Sequence, residues 1–170
     1  MHLVWLATDT VVTRDGKLYS DLASLRYRAL LPATVLKARG HSVSFETLEQ
    51  VLSSAFSGAE ALVIGKLLAP INQETLTVIK SLVGTLIADF CDDHFDHPHM
   101  GSSFRLLAER ADFLVASTAL LAQVVKQKTQ RACVVIADPY EGPKGTPRFA
   151  PQNPLRFLWF GHRSNLDPLL

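Results

Sequence analysis

The sequence has little that would direct a protein to an oxidising compartment or across a membrane. Only two cysteines occur in 170 residues, Cys91 and Cys133, and both lie in or beside apolar runs. Isolated thiols of this kind are typical of a reducing compartment. No apolar stretch approaches the roughly 20 residues that a membrane-spanning helix needs. The sequence therefore predicts a cytoplasmic protein with no transmembrane segment, and peripheral contact with a membrane stays open.

The chain also lacks an excess of charge of either sign. Its 17 basic and 16 acidic residues give a formal net charge of +1, and no basic run occurs. Because nucleic acids are bound through clustered positive charge, we expect no nucleic-acid partner. The hydrophobic content of 48% is enough for one ordinary globular core.

Several motifs of nucleotide-binding and hydrolytic enzymes are missing. No Gly-x-Gly-x-x-Gly follows the first apolar run, no Gly-Lys-Ser/Thr phosphate loop occurs, and no Gly-x-Ser-x-Gly is present. These motifs supply the backbone amides or the nucleophile that each chemistry needs. Dinucleotide binding of the usual type, P-loop phosphate transfer and serine hydrolysis are therefore excluded.

The chain does contain short β-rich runs that alternate with longer helical patterns, which is typical of βαβ units. Strands are predicted at 3–7, 43–45, 61–64, 85–89, 113–116 and 132–137. Helices are predicted at 22–39, with Gly40 in the left-handed cap position, and at 76–83, 100–110 and 117–128, the last of them capped by Ser117. The predicted fold class is α/β, a Rossmann-like parallel sheet of about six strands with helices on both faces.

A segment rich in proline and glycine divides the chain into unequal parts. Regular helices and central strands do not tolerate the proline density of residues 139–154. We therefore predict a Rossmann-like N-terminal domain at 1–138 and a linker at 139–154. Residues 155–170 are expected to be the first strand and helix start of a truncated C-terminal domain, or an added strand of the first sheet.

The strongest candidate for a functional site is residues 92–99, Asp-Asp-His-Phe-Asp-His-Pro-His, directly after the fourth predicted strand. Parallel sheets bind ligands beyond the carboxyl ends of their strands, where the strand order reverses. The usual order, 3-2-1-4-5-6, places that crevice between strands one and four. We then expect residues 92–99 to face the polar loop at 8–21 and two helix-start residues that suit an anion, Arg26 and Arg28. Pro32 predicts an irregularity in that first helix.

Three interpretations of residues 92–99 stand together. A histidine beside carboxylates can act as an acid or base, or can bind substrate. Mixed carboxylate and imidazole ligands also suit a divalent metal. Alternatively, the segment is a solvated loop that caps the following helix. Lys66, Ser117 and Thr118 follow other strands and are further candidates at the same edge. A surface position explains Lys66 equally well, and a helix cap explains Ser117 better than a substrate contact does.

The order of several motifs resembles family 4-like GT-B glycosyltransferases. These motifs are Ser24–Arg28, Arg39–Val43, Leu62–Lys66, Ala88–Phe95, Ala116–Thr118 and Leu158–Gly161. In that family the N-terminal domain binds the acceptor, the C-terminal domain binds the nucleotide-sugar donor, and transfer occurs between them. The resemblance implies that His94 approaches the reacting sugar and that Gly161 lies on the donor-phosphate side.

The leading prediction is the acceptor-binding half of a glycosyltransferase, inactive without its donor domain. His94 and Asp93 are the candidate catalytic residues. Candidate substrate-binding residues are Arg26, Arg28, Lys66, Asp92, Ser117 and Thr118. We expect a sugar or glycan acceptor, a C-terminal donor-binding domain as partner, a nucleotide-sugar as co-substrate, and no metal or other cofactor. The alternatives are a non-catalytic carbohydrate- or nucleotide-binding module and a metal-dependent hydrolase that uses the Asp/His segment.

Overall fold

The β-rich runs of the sequence form a six-stranded parallel sheet. A computed structural model describes residues 1–7, 11–14, 17–65, 70–140 and 142–146. The strands are β1 (His2–Leu6), β2 (Val12–Arg14), β3 (Lys17–Tyr19), β4 (Ser42–Glu46), β5 (Ala59–Ile64), β6 (Val83–Phe90), β7 (Phe113–Ala116) and β8 (Val134–Val135). All except β2 and β3 belong to the parallel sheet. Those two form an antiparallel hairpin where a polar loop was predicted.

The helices follow the strands in the expected alternation. They are α1 (Ala23–Leu25), α2 (Leu31–Ala38), α3 (Leu48–Leu52), α4 (Gln73–Leu82), α5 (Gly101–Arg110) and α6 (Ala119–Thr129). A π-helix, Arg26–Leu30, joins α1 to α2, so the irregularity predicted at Pro32 is a π-helical segment before the proline. Because proline has no amide proton, the ordinary helical hydrogen bond to Arg28 cannot form there.

The strand order differs from the prediction. The sheet runs β4-β1-β5-β6-β7-β8, which is 2-1-3-4-5-6 in terms of the six predicted strands, so the expected order 3-2-1-4-5-6 is wrong. The burial pattern explains the difference. The end of β5 is apolar and fully enclosed, whereas β4 alternates with polar residues and suits an edge. The strand order therefore reverses between β1 and β5.

Helices cover both faces of the sheet, as predicted, but unequally. Side chains alternate along a strand, so Trp5 and Val63 face one side, while Leu6 and Leu62 face the other. The first side packs against the α1–π–α2 assembly, and the second packs against α3 to α6. In the described part of the chain, the first side is consequently covered by a single helical assembly.

The chain beyond β8 bears on the domain predictions. Residues 136–140 and 142–146 contain no helix or strand. The rest of the predicted linker, and the whole of residues 155–170, lie outside the described residues. Among the described helices, none has the length and apolarity that crossing a bilayer requires.

The Asp112 side chain is bonded to the middle of β6, and this contact provides a test of the fold. Its carboxylate accepts hydrogen bonds from Leu86 N at 2.8 Å and from Lys80 Nζ at 2.9 Å. The Leu86 bond, followed by the Lys80 contact, lowers the pKa of Asp112 below its ordinary value of 3.8. An acid whose pKa is lowered by folding stabilises the fold above that ordinary value and loses its contribution as the pH falls through the lower one.

Replacing Asp112 with alanine is expected to lower the free energy of unfolding by about 1 kcal/mol at neutral pH, since the carboxylate is partly solvated. The deficit should shrink in acid, below the pKa of the folded carboxyl group. Urea unfolding at neutral and acidic pH measures both values, with Glu109→Ala as an exposed acidic control. A deficit that does not change with pH would show that the charge of Asp112 contributes nothing.

Candidate functional site

The loop after β6 has one aromatic side chain buried in the core. Phe95 is fully buried, and its ring centroid lies 5.3 Å from that of Phe90 and 5.8 Å from that of Phe104. Gly101 allows α5 to begin close to this loop, because a Cβ there would lie 2.4 Å from the Phe95 carbonyl oxygen. The loop therefore has a fixed shape, with its polar residues around a buried anchor.

His94 is the partly exposed imidazole of this loop. Its ring meets the Phe104 ring edge-on, with centroids 5.2 Å apart, and the side chain is 35% exposed. The Nε2 atom lies 4.0 Å from the Asp92 carboxylate. The arrangement suits proton transfer or hydrogen bonding to a ligand that approaches from solvent.

Other polar residues of the segment stabilise the loop itself. Asp93 accepts a hydrogen bond from Phe95 N at 3.2 Å, which is the geometry of an Asx turn. His97 Nδ1 accepts from the backbone amides of His99 and Met100, just before α5. Asp93 and His97 thus satisfy backbone donors of the loop, as the solvated-loop interpretation expects, but no side chain among the described residues caps α5. Asp92 and His94 form the only imidazole–carboxylate contact within the described part of this segment.

The end of β7 meets the same loop. Ser117 is buried, its amide donates to Phe90 O at 3.0 Å, and its hydroxyl donates to Cys91 O at 3.5 Å. The predicted cap of α6 is corrected by one residue, because Thr118 and not Ser117 accepts the hydrogen bond from Leu121 N. The Ser117 hydroxyl points instead to the neighbouring strand end. Both hydroxyls thus position the loop and the helix.

Arg28 and Asp89 form a buried ion pair at the end of β6. Their side chains are 9% and 7% exposed, and Arg28 Nε donates to Asp89 Oδ2 at 3.0 Å while Nη2 donates to Oδ1. Arg28 Nη1 donates to Asp138 Oδ1 and to the carbonyl oxygen of Ile136. A substrate anion would have to displace one of these acceptors, so the contacts of Arg28 are those of a positioning residue.

The electrostatics of this pair follow from burial. Burial raises the pKa of Asp89 above its ordinary value, although Arg28 opposes the shift. For Arg28, burial lowers the pKa, but the hydrogen bond and charge of Asp89 outweigh it, so the net direction is upward. Each member of the pair keeps the other charged in a poorly solvated place. One sign of this pair was visible in the sequence, an aspartate at the end of an apolar strand.

Arg26 is held by the backbone of its own segment. Arg26 Nη1 donates to the carbonyl oxygens of Ser20 and Asp21, which holds the chain before α1.

The cavity at the point where the strand order reverses is small. It lies at the carboxyl ends of β1, β5 and β6, has a volume of about 20 Å³, and is bordered by Trp5, Arg28, Asp89 and Cys91 among others. That volume accommodates a single water molecule. His94 is not among the described residues that border it.

Two predicted site residues, Lys66 and Gly161, lie outside the described residues. Among the described residues, no group of three or more His, Cys, Asp or Glu side chains has an arrangement that could hold a metal ion. The described site thus has two parts, the Asp92–His94 pair on the loop after β6 and the Arg28–Asp89 pair that fixes the end of that strand. The sequence matches no protein-family model, and no curated protein or solved structure is significantly similar to it.

Proposed function

We propose that this chain is the acceptor-side domain of a glycosyltransferase, which takes a sugar from a nucleotide-sugar held by a second domain. The observation that carries the proposal is the partly exposed His94 imidazole at the carboxyl edge of a Rossmann-like sheet, 4.0 Å from the Asp92 carboxylate. Ligands of open parallel sheets bind beyond the carboxyl ends of the strands, and this loop lies one strand away from the reversal between β1 and β5. The motif order described for the sequence supports sugar transfer over other reactions at such an edge.

The proposed role of His94 is to bind the acceptor hydroxyl in the transition state. A neutral imidazole accepts the hydroxyl hydrogen bond or its proton as the oxygen forms a bond to the anomeric carbon and the nucleotide phosphate leaves. Asp92 would then stabilise the imidazolium. Lys66 is proposed to bind substrate and Gly161 to lie beside the donor phosphate. Ser117 and the Arg28–Asp89 pair hold the strand ends in place, and Thr118 caps α6.

The test uses the protein translated from the complete reading frame that contains these residues. It is incubated with UDP-, GDP- and ADP-sugars and a panel of glycan and glycoside acceptors, and release of nucleoside diphosphate is measured. His94→Gln is expected to lower kcat by at least about 100-fold, the usual contribution of a general acid or base. His99→Gln, an exposed histidine of the same loop, is the matched control and should change kcat by less than about twofold.

The possible outcomes separate the competing functions. A protein that releases no nucleoside diphosphate from any donor, or a His94→Gln variant as active as its parent, contradicts the proposal. Saturable binding of a sugar without turnover would instead favour a non-catalytic binding module. Hydrolysis that a chelator abolishes and added metal restores would favour a metal-dependent hydrolase.

A further inference from the structure

An apolar groove crosses the less covered face of the sheet. It has a volume of about 560 Å³, within the range of about 300–1,000 Å³ that is usual for small-molecule sites. Strands form its floor, α2 forms one wall, and the segment after β8 forms the opposite wall. Its apolar lining includes Val35, Val63, Ile87, Val115, Ile136 and Tyr140.

The floor of the groove spans four neighbouring strands. It extends from β1 across β5 and β6 to β7. Three strand spacings separate β1 from β7, which corresponds to about 14 Å at the usual spacing of neighbouring strands.

The charges of the groove favour a neutral ligand. The described lining contains two charged side chains, Arg28 and Asp89, and these are bonded to each other. No uncompensated charge is left there to bind an ionic group, and an ion that entered would lose its hydration without gaining a partner. The occupant should therefore carry no net charge.

Trp5 adds a specific polar requirement. The indole borders the groove, and its Nε1 atom is buried with no hydrogen-bond acceptor among the described residues. Buried donors are rarely left unpaired, because the lost hydration is not replaced. A ligand oxygen that reached Nε1 would supply the missing bond.

We propose that this groove binds one uncharged, mainly hydrocarbon molecule of the alkyl, acyl or isoprenoid class, with a single oxygen acceptor placed for Trp5 Nε1. The site lies on the face of the sheet and is separate from the Asp92–His94 pair at its edge. The proposal goes beyond sugar transfer and does not depend on it, since it concerns binding and is measured without a nucleotide-sugar.

The first experiment measures binding of 1-decanol by calorimetry and by tryptophan fluorescence. The chain has two tryptophans, so a Trp159→Phe background leaves Trp5 as the single reporter. Saturable binding at a stoichiometry of one is expected. Decane, which has no acceptor, should bind about fivefold more weakly, and decanoate more weakly than decanol. Calorimetry on Trp5→Phe, which keeps an aromatic ring but removes the N–H donor, should show no preference for decanol over decane.

The second experiment blocks the groove with a matched pair of variants. Val35 borders the groove on α2 and is 52% exposed, while Val78 is 42% exposed on α4, a helix that packs on the opposite side of the sheet. Both valines tolerate a larger side chain because they are open to solvent. Val35→Arg should weaken decanol binding at least about tenfold, and Val78→Arg should leave it unchanged.

Three results would overturn the proposal. The first is a lack of saturable binding to the parent protein, and the second is equal binding to both arginine variants. The third is a ligand-free dimer in sedimentation analysis that Val35→Arg, but not Val78→Arg, converts to a monomer. That last result would assign the groove to a second copy of the chain.

Discussion

Replacing Arg28 with methionine is expected to lower the free energy of unfolding by about 3–5 kcal/mol, because Asp89 would remain buried without its counter-charge. Asp89 is 7% exposed, and two of its hydrogen bonds come from the Arg28 guanidinium. The same substitution releases Asp138 and the Ile136 carbonyl after β8. Urea unfolding followed by circular dichroism measures the loss. Arg39→Met, an exposed arginine at the end of α2, is the matched control, with an expected change within about 0.5 kcal/mol.

The pH dependence of the Arg28→Met variant identifies the cause. Burial already raises the pKa of Asp89, and Arg28 is the group that opposes the rise. Without Arg28 the pKa of Asp89 rises further, so the folded variant binds a proton at a higher pH than the unfolded chain does. The deficit should be largest at neutral pH and should shrink as the pH falls through the raised pKa.

A second substitution distinguishes an unpaired charge from lost packing. In the double variant Arg28→Met with Asp89→Leu, no charge remains to be buried, and most of the lost stability should return. If the deficit of Arg28→Met is the same in mild acid as at neutral pH, and Asp89→Leu restores nothing, the ion pair is not what stabilises this part of the fold.

The existence of the strands was predictable, but their order was not. Apolar runs such as 61–64 predict strands because the central strands of a parallel sheet are buried on both faces, as the end of β5 is. Order depends on which strands pair across long sequence separations, and local pattern says little about it. One clue was present, since Ser42, Ser44 and Glu46 alternate with apolar residues in β4. A strand with that alternation suits an edge, and the more apolar β5 then takes the place beside β1.

The ends of the helices were also only partly predictable from the sequence. Helix α4 ends at Leu82 and β6 begins at Val83, so the predicted helix at 76–83 runs one residue into the strand. No residue separates the helix from the strand, and the two residues at the boundary, Leu82 and Val83, are both apolar. The short helix α3 was missed although its capping box was visible in the sequence. Thr47 accepts from Gln50 N, and the Gln50 side chain accepts from Thr47 N.

That residues 92–99 form a polar loop directly after a strand was predictable from one apolar run and the polar segment behind it. The prediction that this loop lies where the strand order reverses was wrong, because the order reverses between β1 and β5. The separate roles of the residues within 92–99 were not predictable, because those roles depend on contacts with other elements. Phe104 of α5 packs against the His94 ring, and no spacing pattern in the sequence predicts that contact. The partners Arg28 and Asp89 are 61 residues apart in sequence. Only the rule that a buried acid needs a partner pointed to such a contact.

Replacing Phe95 with alanine is expected to lower the free energy of unfolding by about 3–5 kcal/mol, the usual range for a large aromatic side chain in a core. Phe95 is fully buried and packs against Phe90 and Phe104. Because Phe104 also supports the His94 ring, the cavity would disturb the orientation of the imidazole as well. Under the proposed function, sugar transfer should then fall even at temperatures where the variant is fully folded.

Urea unfolding measures the stability of Phe95→Ala, and the chemical shifts of the His94 ring report its orientation. Phe113→Ala is the control, because that phenylalanine is exposed on β7 and its loss should change stability by less than about 1 kcal/mol. Phe95→Leu should fall between the two, since it fills part of the cavity. Equal losses for Phe95→Ala and Phe113→Ala, with His94 shifts unchanged in both, would show that the loop keeps its shape without Phe95 and that His94 is positioned by other contacts.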